Sequence, residues 1–156
     1  MCRRRFVIGG RSEEFEIVRV TGDGACLFNT LSLGIFGSER YSKEIRRDTV
    51  RHVEANYDHY GAFIVGPVTP QRYGERMSGP YEYGTHVELV AASELYNVRI
   101  LVFRGDTLQC DVGRKEWYRV VSLFSGPPES GHFELALPAA ARFRPKAFRY
   151  TTPTRD

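Results

Sequence analysis

The chain has 156 residues, 42% of them hydrophobic and 26% charged, with a formal net charge of +3. This length suits one globular domain, and the composition excludes collagen-like, low-complexity and fully disordered chains. No apolar run approaches the ~20 residues of a membrane helix, and no apolar segment follows the basic start at 3–5. We therefore predict neither a membrane span nor a signal peptide.

The positive charge is concentrated at the two ends of the chain. The segment 142–156 has five basic residues and one acidic residue, and the segment 1–14 has four arginines and two glutamates. The residues between them therefore have a net charge of −3. Because nucleic-acid-binding proteins usually have their basic patch on the folded body, nucleic acid is not an expected partner. The terminal charges are interpreted as solvated, with a weak contact to an acidic partner as the alternative.

The three cysteines, Cys2, Cys26 and Cys110, have unrelated spacings. No Cys-x-x-Cys pair or Cys/His cluster indicates a zinc site, and neither a metal nor an organic cofactor is expected. Free thiols indicate a reducing compartment, which predicts a cytoplasmic or nuclear protein, or one in the host cytosol if the source is viral or bacterial.

The first half of the chain is predicted to contain one strand and two helices. Partial alternation of β-branched residues predicts the strand at 15–20, and a turn follows at 21–24. Helical spacing of apolar residues from Ala25 predicts a largely buried helix that Gly37 ends. A second, amphipathic helix is predicted after Ser42 as N-cap, with a basic face toward solvent: Lys43, Arg46, Arg47 and Arg51.

The second half is predicted to contain one helix and several strands. Residues 56–84 are rich in Tyr, Gly and Pro and are expected to be irregular or short helical pieces. A capping box that begins at Thr85 predicts a helix, and the nearly continuous β-forming run 98–103 predicts a covered strand. Weaker strands are predicted at 118–124 and 132–137. Early helices and late strands predict an α+β fold, a small sheet packed against helices.

Cys26 is the cysteine whose local sequence favours reactivity. It follows a glycine-flanked turn at the start of a predicted helix, where backbone N–H groups are unpaired and the helix dipole favours negative charge. This environment predicts a thiol pKa below the free value of about 8.5. The same N–H groups can bind an oxyanion. The alternative interpretation is a buried structural cysteine.

A second pair of candidate residues lies late in the chain. His132 and Glu134 share one face of the predicted strand 132–137 because side chains alternate along a strand. The Glu134 carboxylate can then accept a hydrogen bond from the imidazole, as the base of a cysteine nucleophile requires. Gly131 lets another chain segment approach closely. The alternative is a surface strand with ordinary polar positions.

Three motifs together resemble the ovarian-tumour (OTU) family of cysteine proteases, which remove ubiquitin from proteins. They are Asp-Gly-Ala-Cys-Leu-Phe at 23–28, Tyr-Gly-Thr-His-Val-Glu-Leu at 83–89 ahead of the strand 98–103, and His-Phe-Glu at 132–134. The resemblance covers about residues 14–138 and implies a papain-like fold with a small mixed β-sheet packed between helices. By this reading 1–156 is a single OTU-like domain that ends in a basic tail at 139–156.

The resemblance also implies the roles of four residues. Cys26 is the expected nucleophile and His132 the expected general base of a deubiquitinase. Such an enzyme hydrolyses the isopeptide bond after the C-terminal glycine of ubiquitin through a thioester. Asp23 matches the acidic position of the nucleophile motif. Glu134 matches the position that orients the histidine, where the family commonly has Asn or Asp, so either acid is a candidate third member of the triad.

The remaining expectations concern the channel and the partners. Gly24 and Ala25 are expected at the oxyanion site, and Gly131 and Trp117 along the substrate channel, although Trp117 suits a core or rim position equally. A monomer that acts on ubiquitin, ubiquitin chains or other ubiquitin-like modifiers is expected. Two alternatives stay open: a silent ubiquitin-binding module of the same fold, and an adaptor whose segment 142–155 docks on nucleic acid or anionic membrane.

Overall fold

A computed structural model of the chain describes residues 2–65, 68–116, 119–127 and 131–139. Its strands are β1 (Cys2–Ile8), β2 (Arg11–Val18), β3 (Arg99–Arg104), β4 (Thr107–Val112), β5 (Val120–Ser125) and β6 (Phe133–Pro138). Its α-helices are α1 (Cys26–Phe36), α2 (Ser42–Ala55), α3 (Tyr57–Tyr60), α4 (Pro70–Met77) and α5 (His86–Tyr96), with 3-10 turns at Glu39–Tyr41 and Gly61–Phe63. None of the helices in the described ranges is long and apolar enough to span a membrane.

The strands form one rolled, mixed sheet in the order β1-β2-β6-β5-β3-β4. Strands β3 and β5 are parallel, whereas β2, β6 and β5 are joined by antiparallel pairing. A single parallel pairing of Val7 with Thr107 joins β1 to β4 and closes the sheet on itself. Antiparallel pairing of consecutive strands forms β1–β2, β3–β4 and β5–β6, and the pairing of β2 with β6, β3 with β5 and β1 with β4 joins these three units.

The inner face of the rolled sheet is filled by aromatic side chains. Phe6 and Phe103 are fully buried and stack with their ring centroids 4.4 Å apart, and Phe15 packs against both. Burial of such large apolar surfaces is the main stabilising contribution to this half of the core. The buried residues of this cluster all come from the strands of the sheet itself.

The outer face of the sheet packs against α1 and α5. Leu31 of α1 lies in one buried cluster with Ile100 of β3 and Leu123 of β5. Gly34 allows this close packing, because a Cβ atom there would lie 2.5 Å from Cγ1 of Val121. The core of the molecule thus fixes α1, and with it the start of that helix, directly on the sheet.

The observed helices and strands agree with the predicted ones where a short sequence pattern marks the element. The helices from Ala25 and Thr85 and the strand at 98–103 are confirmed within one or two residues of their bounds. The sequence reading missed β1 and β4, whose residues are largely exposed apart from Phe6 and Val112. The packed body therefore begins ahead of the region that the resemblance covered.

Two predictions about α2 are wrong. Ser42 is the first residue of the helix rather than its N-cap, which is Tyr41. Arg46 was expected to face solvent with the other basic residues, but only 6% of it is exposed. It is buried because the chain segment before α5 folds back over this face of α2, where its guanidinium donates to backbone carbonyl groups.

Candidate active site

The thiol of Cys26 lies at the first residue of α1 and is buried. Its Sγ atom donates a hydrogen bond of 3.0 Å to the carbonyl oxygen of Gly131. The backbone N–H groups of Phe133, Leu27 and Cys26 itself also interact with the sulfur. The start of α1 and the segment ahead of β6 therefore meet at this sulfur atom.

The pKa of Cys26 is shifted in the direction opposite to the sequence-based prediction. Burial raises the pKa of the thiol above its ordinary value, and the negative charge of Asp23 adds to this effect. The N–H groups of Phe133, Leu27 and Cys26 lower the pKa but do not outweigh burial. The prediction considered only the helix N-terminus and left out desolvation. In the free protein the thiol form is favoured, so deprotonation requires a base.

His132 and Glu134 face each other, as the alternation of strand residues predicts. The Nε2 atom of His132 lies 3.8 Å from Oε1 of Glu134, a distance for an ion pair rather than a direct hydrogen bond. The other edge of the ring faces Gly22, where a Cβ atom would lie 3.8 Å from Cε1 and 4.0 Å from Nδ1. The imidazole therefore lies between Glu134 and the loop ahead of Cys26.

Asp23 organises the loop ahead of the cysteine. Its Oδ1 atom accepts hydrogen bonds from the backbone N–H of Ala25 at 3.1 Å and from Nδ2 of Asn29 at 3.2 Å. These bonds fix the turn that leads into α1. The N–H of Ala25, which was expected near the oxyanion site, is used by Asp23 in this structure.

Asn29 is a site residue that the sequence reading overlooked. Its Nδ2 atom donates to the carbonyl oxygen of Thr21 at 3.0 Å as well as to Asp23, and its Oδ1 atom accepts from Oγ of Ser42 at 2.5 Å. The side chain is only 6% exposed, so it ties the loop, α1 and α2 together in a buried position. An amide side chain within a mostly apolar helical stretch was the available signal for this role.

Gly24 and Gly131 both have a left-handed backbone, with φ of 84° and 60°. A Cβ atom on Gly24 would lie 2.3 Å from the carbonyl oxygen of Tyr81, and one on Gly131 would lie 3.0 Å from Cγ of Tyr83. The close approach predicted at Gly131 is therefore made by the chain's own Tyr83. Trp117, the other residue expected in the channel, lies outside the described residues.

Two open cavities lie on either side of the segment that contains Tyr81 and Tyr83. One of about 920 Å³ is lined by Asp23, Ala25 and Tyr81, among others. The other, of about 580 Å³, is lined by Tyr83, Gly131 and Phe133, among others. No group of three His, Cys, Asp or Glu side chains in the described part of the chain is arranged to hold a metal ion. Cys26 lines neither cavity, but one is lined by the residues just ahead of it and the other by Gly131, which accepts its hydrogen bond.

Known proteins resemble this chain in sequence over part of their length. A family model described as "OTU-like cysteine protease" matches residues 21–129. "OVARIAN TUMOR DOMAIN-containing deubiquitinating enzyme 10" of Arabidopsis thaliana is 34% identical over 89 residues, which are 57% of this chain and 24% of that protein. Deubiquitinating enzyme 12 of the same group and plant is 31% identical over 83 residues, 53% of this chain and 37% of that protein. The matches thus span well under half of these relatives.

Solved structures share the fold at lower identity. The viral OTU domain protease from Dera Ghazi Khan virus has a TM-score of 0.69 and 21% identity, covering 80% of this chain and 81% of that one. An OTU domain solved in complex with ubiquitin has a TM-score of 0.70 and 16% identity, covering 86% and 75%. These similarities confirm the α+β OTU fold. Together with the family match over most of the chain, they show that this protein belongs to the OTU-like cysteine protease family.

Proposed function

We propose that the chain is a deubiquitinase that hydrolyses the isopeptide bond after the C-terminal glycine of ubiquitin. The main support is the hydrogen bond from the Cys26 thiol to Gly131. The next residue, His132, lies 3.8 Å from the carboxylate of Glu134. The relatives named as deubiquitinating enzymes and the OTU domain in complex with ubiquitin support ubiquitin as the substrate.

In the proposed first step, His132 removes the proton from the thiol of Cys26. Its Nδ1 edge faces the loop ahead of Cys26 and its Nε2 edge faces Glu134, so Nδ1 is the proposed accepting atom. A base is needed because burial raises the pKa of Cys26. The negative charge of Glu134 would favour the imidazolium that forms.

The later steps follow from ordinary acyl transfer. The thiolate attacks the carbonyl carbon of the ubiquitin glycine, and N–H groups at the start of α1, including that of Cys26, would stabilise the oxyanion. The C–N bond then breaks, and the lysine amine leaves with the proton from the His132 imidazolium. Water attacks the resulting thioester, gives its proton to the imidazole and releases ubiquitin, and the thiol of Cys26 is restored.

Glu134 is the proposed acid that orients His132. Its carboxylate is the one found 3.8 Å from the imidazole, and the side chain is largely shielded from solvent. Asp23 instead has hydrogen bonds to Ala25 and Asn29, which suit a role in holding the loop. The two acids would then contribute to turnover in different ways.

The proposal is tested by cleavage of ubiquitin dimers and of a ubiquitin with a C-terminal fluorogenic amide. Wild-type protein should cleave both, whereas Cys26→Ala and His132→Ala should cleave neither while keeping the wild-type circular dichroism spectrum. Cys2→Ala is the matched control, because it removes an exposed thiol of β1 and should cleave normally. Binding of ubiquitin by the wild type without any cleavage would contradict the proposal and indicate a silent module.

A further inference from the structure

We propose that Arg46 of α2 is a positioning residue for the active site. It would fix the segment 77–84, called the wall segment below, against the loops that contain Cys26 and His132. The inference rests on the proposed function for its kinetic test, but the contacts that support it belong to the fold.

The guanidinium of Arg46 binds three backbone carbonyl groups of the wall segment. Nη1 donates to the carbonyl oxygen of Met77 at 2.9 Å. Nη2 donates to that of Glu82 at 2.8 Å and, more weakly, to that of Pro80 at 3.4 Å. Arginine presents its donors on separate nitrogens of a planar group, so it can reach carbonyls that lie apart, whereas the three donors of a lysine are all on one nitrogen.

The same guanidinium also contacts the nucleophile helix. Its Cζ atom lies 4.3 Å from the centroid of the Phe28 ring, a cation–π contact with a fully buried residue of α1. Phe28 is in the first turn of the helix that begins at Cys26. One buried group therefore joins α2, the wall segment and the helix that begins with the nucleophile.

The wall segment in turn contacts the loops on both sides of the thiol. The carbonyl oxygen of Tyr81 packs against Gly24, and the ring of Tyr83 packs against Gly131. Gly24 lies two residues before Cys26, and Gly131 accepts the hydrogen bond from the thiol. A displacement of the wall segment would therefore change the two cavities beside Cys26, and Arg46 itself lines one of them.

Glu88 supports the far end of the same segment. Its fully buried carboxylate accepts hydrogen bonds from the Thr85 N–H at 2.6 Å and from the Tyr73 hydroxyl at 2.7 Å. Among the charges around Arg46, Glu88 contributes the largest favourable interaction. Removing the positive charge would leave this carboxylate less compensated, so a charge-conserving variant is needed beside a neutral one.

The test compares Arg46→Met and Arg46→Lys with Arg51→Met, which removes an exposed arginine from the same helix. For the fluorogenic ubiquitin substrate, Arg46→Met should lower kcat/KM by about tenfold, equivalent to about 1.4 kcal/mol. Most of this loss should be in KM, because the hydrogen bonds of Asp23 and Asn29 still hold the nucleophile loop. Arg46→Lys should recover part of the loss, and Arg51→Met should be within twofold of wild type.

Hydrogen exchange of the free protein supplies a second readout that needs no activity. Backbone amides of the wall segment should exchange about tenfold faster in Arg46→Lys than in Arg51→Met, while those of α1 keep their protection. If Arg46→Met does not fold, Arg46→Lys decides both measurements. Unchanged exchange of the wall segment, or a loss of activity that only follows the loss of folded protein, would overturn the inference. If the wild-type protein has no activity but the variants exchange as expected, the proposed function is wrong and the inference about Arg46 still stands.

Discussion

The thiol of Cys26 donates a 3.0 Å hydrogen bond to the carbonyl oxygen of Gly131, the residue immediately before His132. The proposed nucleophile of the free protein is therefore hydrogen-bonded to the residue that precedes its proposed base. Because the thiol has a single proton, this bond must break before an imidazole can accept that proton. We expect that substrate entering beside Gly131 breaks this hydrogen bond.

The first prediction concerns the pH dependence of Cys26 alkylation in the free protein. Burial raises the pKa of the thiol, so the protonated form persists to higher pH and less of the reactive thiolate is present at pH 7. Iodoacetamide should therefore modify Cys26 more slowly at pH 7 than it modifies the exposed Cys2. Peptide mass spectrometry of a pH series measures both rates in one sample.

The midpoint of the alkylation profile is informative as well. It should lie above that of a cysteine in a short unstructured peptide, which is about 8.5. Rapid modification of Cys26 at pH 7, with a rate that stays level up to pH 8, would instead reveal a thiolate–imidazolium pair in the free protein. That result would contradict the raised pKa.

The second prediction compares two glycines with similar backbone strain. Gly24 and Gly10 have φ of 84° and 79°, but a Cβ atom on Gly24 meets the Tyr81 carbonyl at 2.3 Å, whereas one on Gly10 has nothing within 4 Å. Alanine at either position should cost about 1–2 kcal/mol for the left-handed backbone. Gly24→Ala should add about 1–3 kcal/mol because of the clash.

Urea unfolding of both variants measures this difference, and turnover should fall strongly in Gly24→Ala alone. Equal losses of stability in the two variants would show that the wall segment does not pack on Gly24 as described.

The third prediction separates the two acids. Glu134→Gln keeps a hydrogen-bonding group but removes the charge 3.8 Å from the imidazole. The imidazolium that forms at His132 would lose this favourable charge, so turnover should fall about tenfold, as expected for the loss of about 1.4 kcal/mol, while the stability of the fold is kept. Asp23→Ala should lower both turnover and the free energy of unfolding, because its carboxylate binds loop groups.

Turnover and urea unfolding of both variants decide between these roles. An unchanged rate in Glu134→Gln would remove Glu134 from the site and make Asp23 the better candidate for the third member of the triad.

The fourth prediction concerns the buried amide of Asn29. Asn29→Ala removes its hydrogen bonds to Thr21, Asp23 and Ser42 and should lower the free energy of unfolding by about 1–3 kcal/mol. Asn56→Ala is the control, because its single side-chain hydrogen bond, to the carbonyl of His52, is exposed and should matter little. Equal effects in the two variants would contradict the buried role of Asn29.

The elements that could be predicted from the sequence are those marked by a short sequence pattern. The capping box at Thr85 needs only a glutamate three residues later, and the strand at 98–103 is an uninterrupted β-forming run. Strand β1 has no such signal, since Phe6 is its only buried residue and the strand exists through pairing with β2. Its place in the fold depends on pairing with another strand, which the spacing of apolar residues along the sequence does not show.

The same distinction applies to the site. Cys26 and His132 could be proposed as site residues because the motifs around them are short and occur in order along the chain. Arg46 was misplaced because the carbonyl groups that bury it come from 77–82, more than thirty residues away. The direction of the Cys26 pKa shift was wrong for a similar reason, since desolvation depends on the whole packed site.

The most direct test of the account is reaction of the protein with ubiquitin that has an electrophile in place of its C-terminal carboxylate. The account predicts one covalent adduct per chain, with Cys26 identified as the attachment point by peptide mass spectrometry. Cys26→Ala should form no adduct, and Cys2→Ser should react at the wild-type rate. An adduct at Cys2 or Cys110, or none on folded wild-type protein, would contradict the assignment of Cys26 as the nucleophile of a ubiquitin-directed protease.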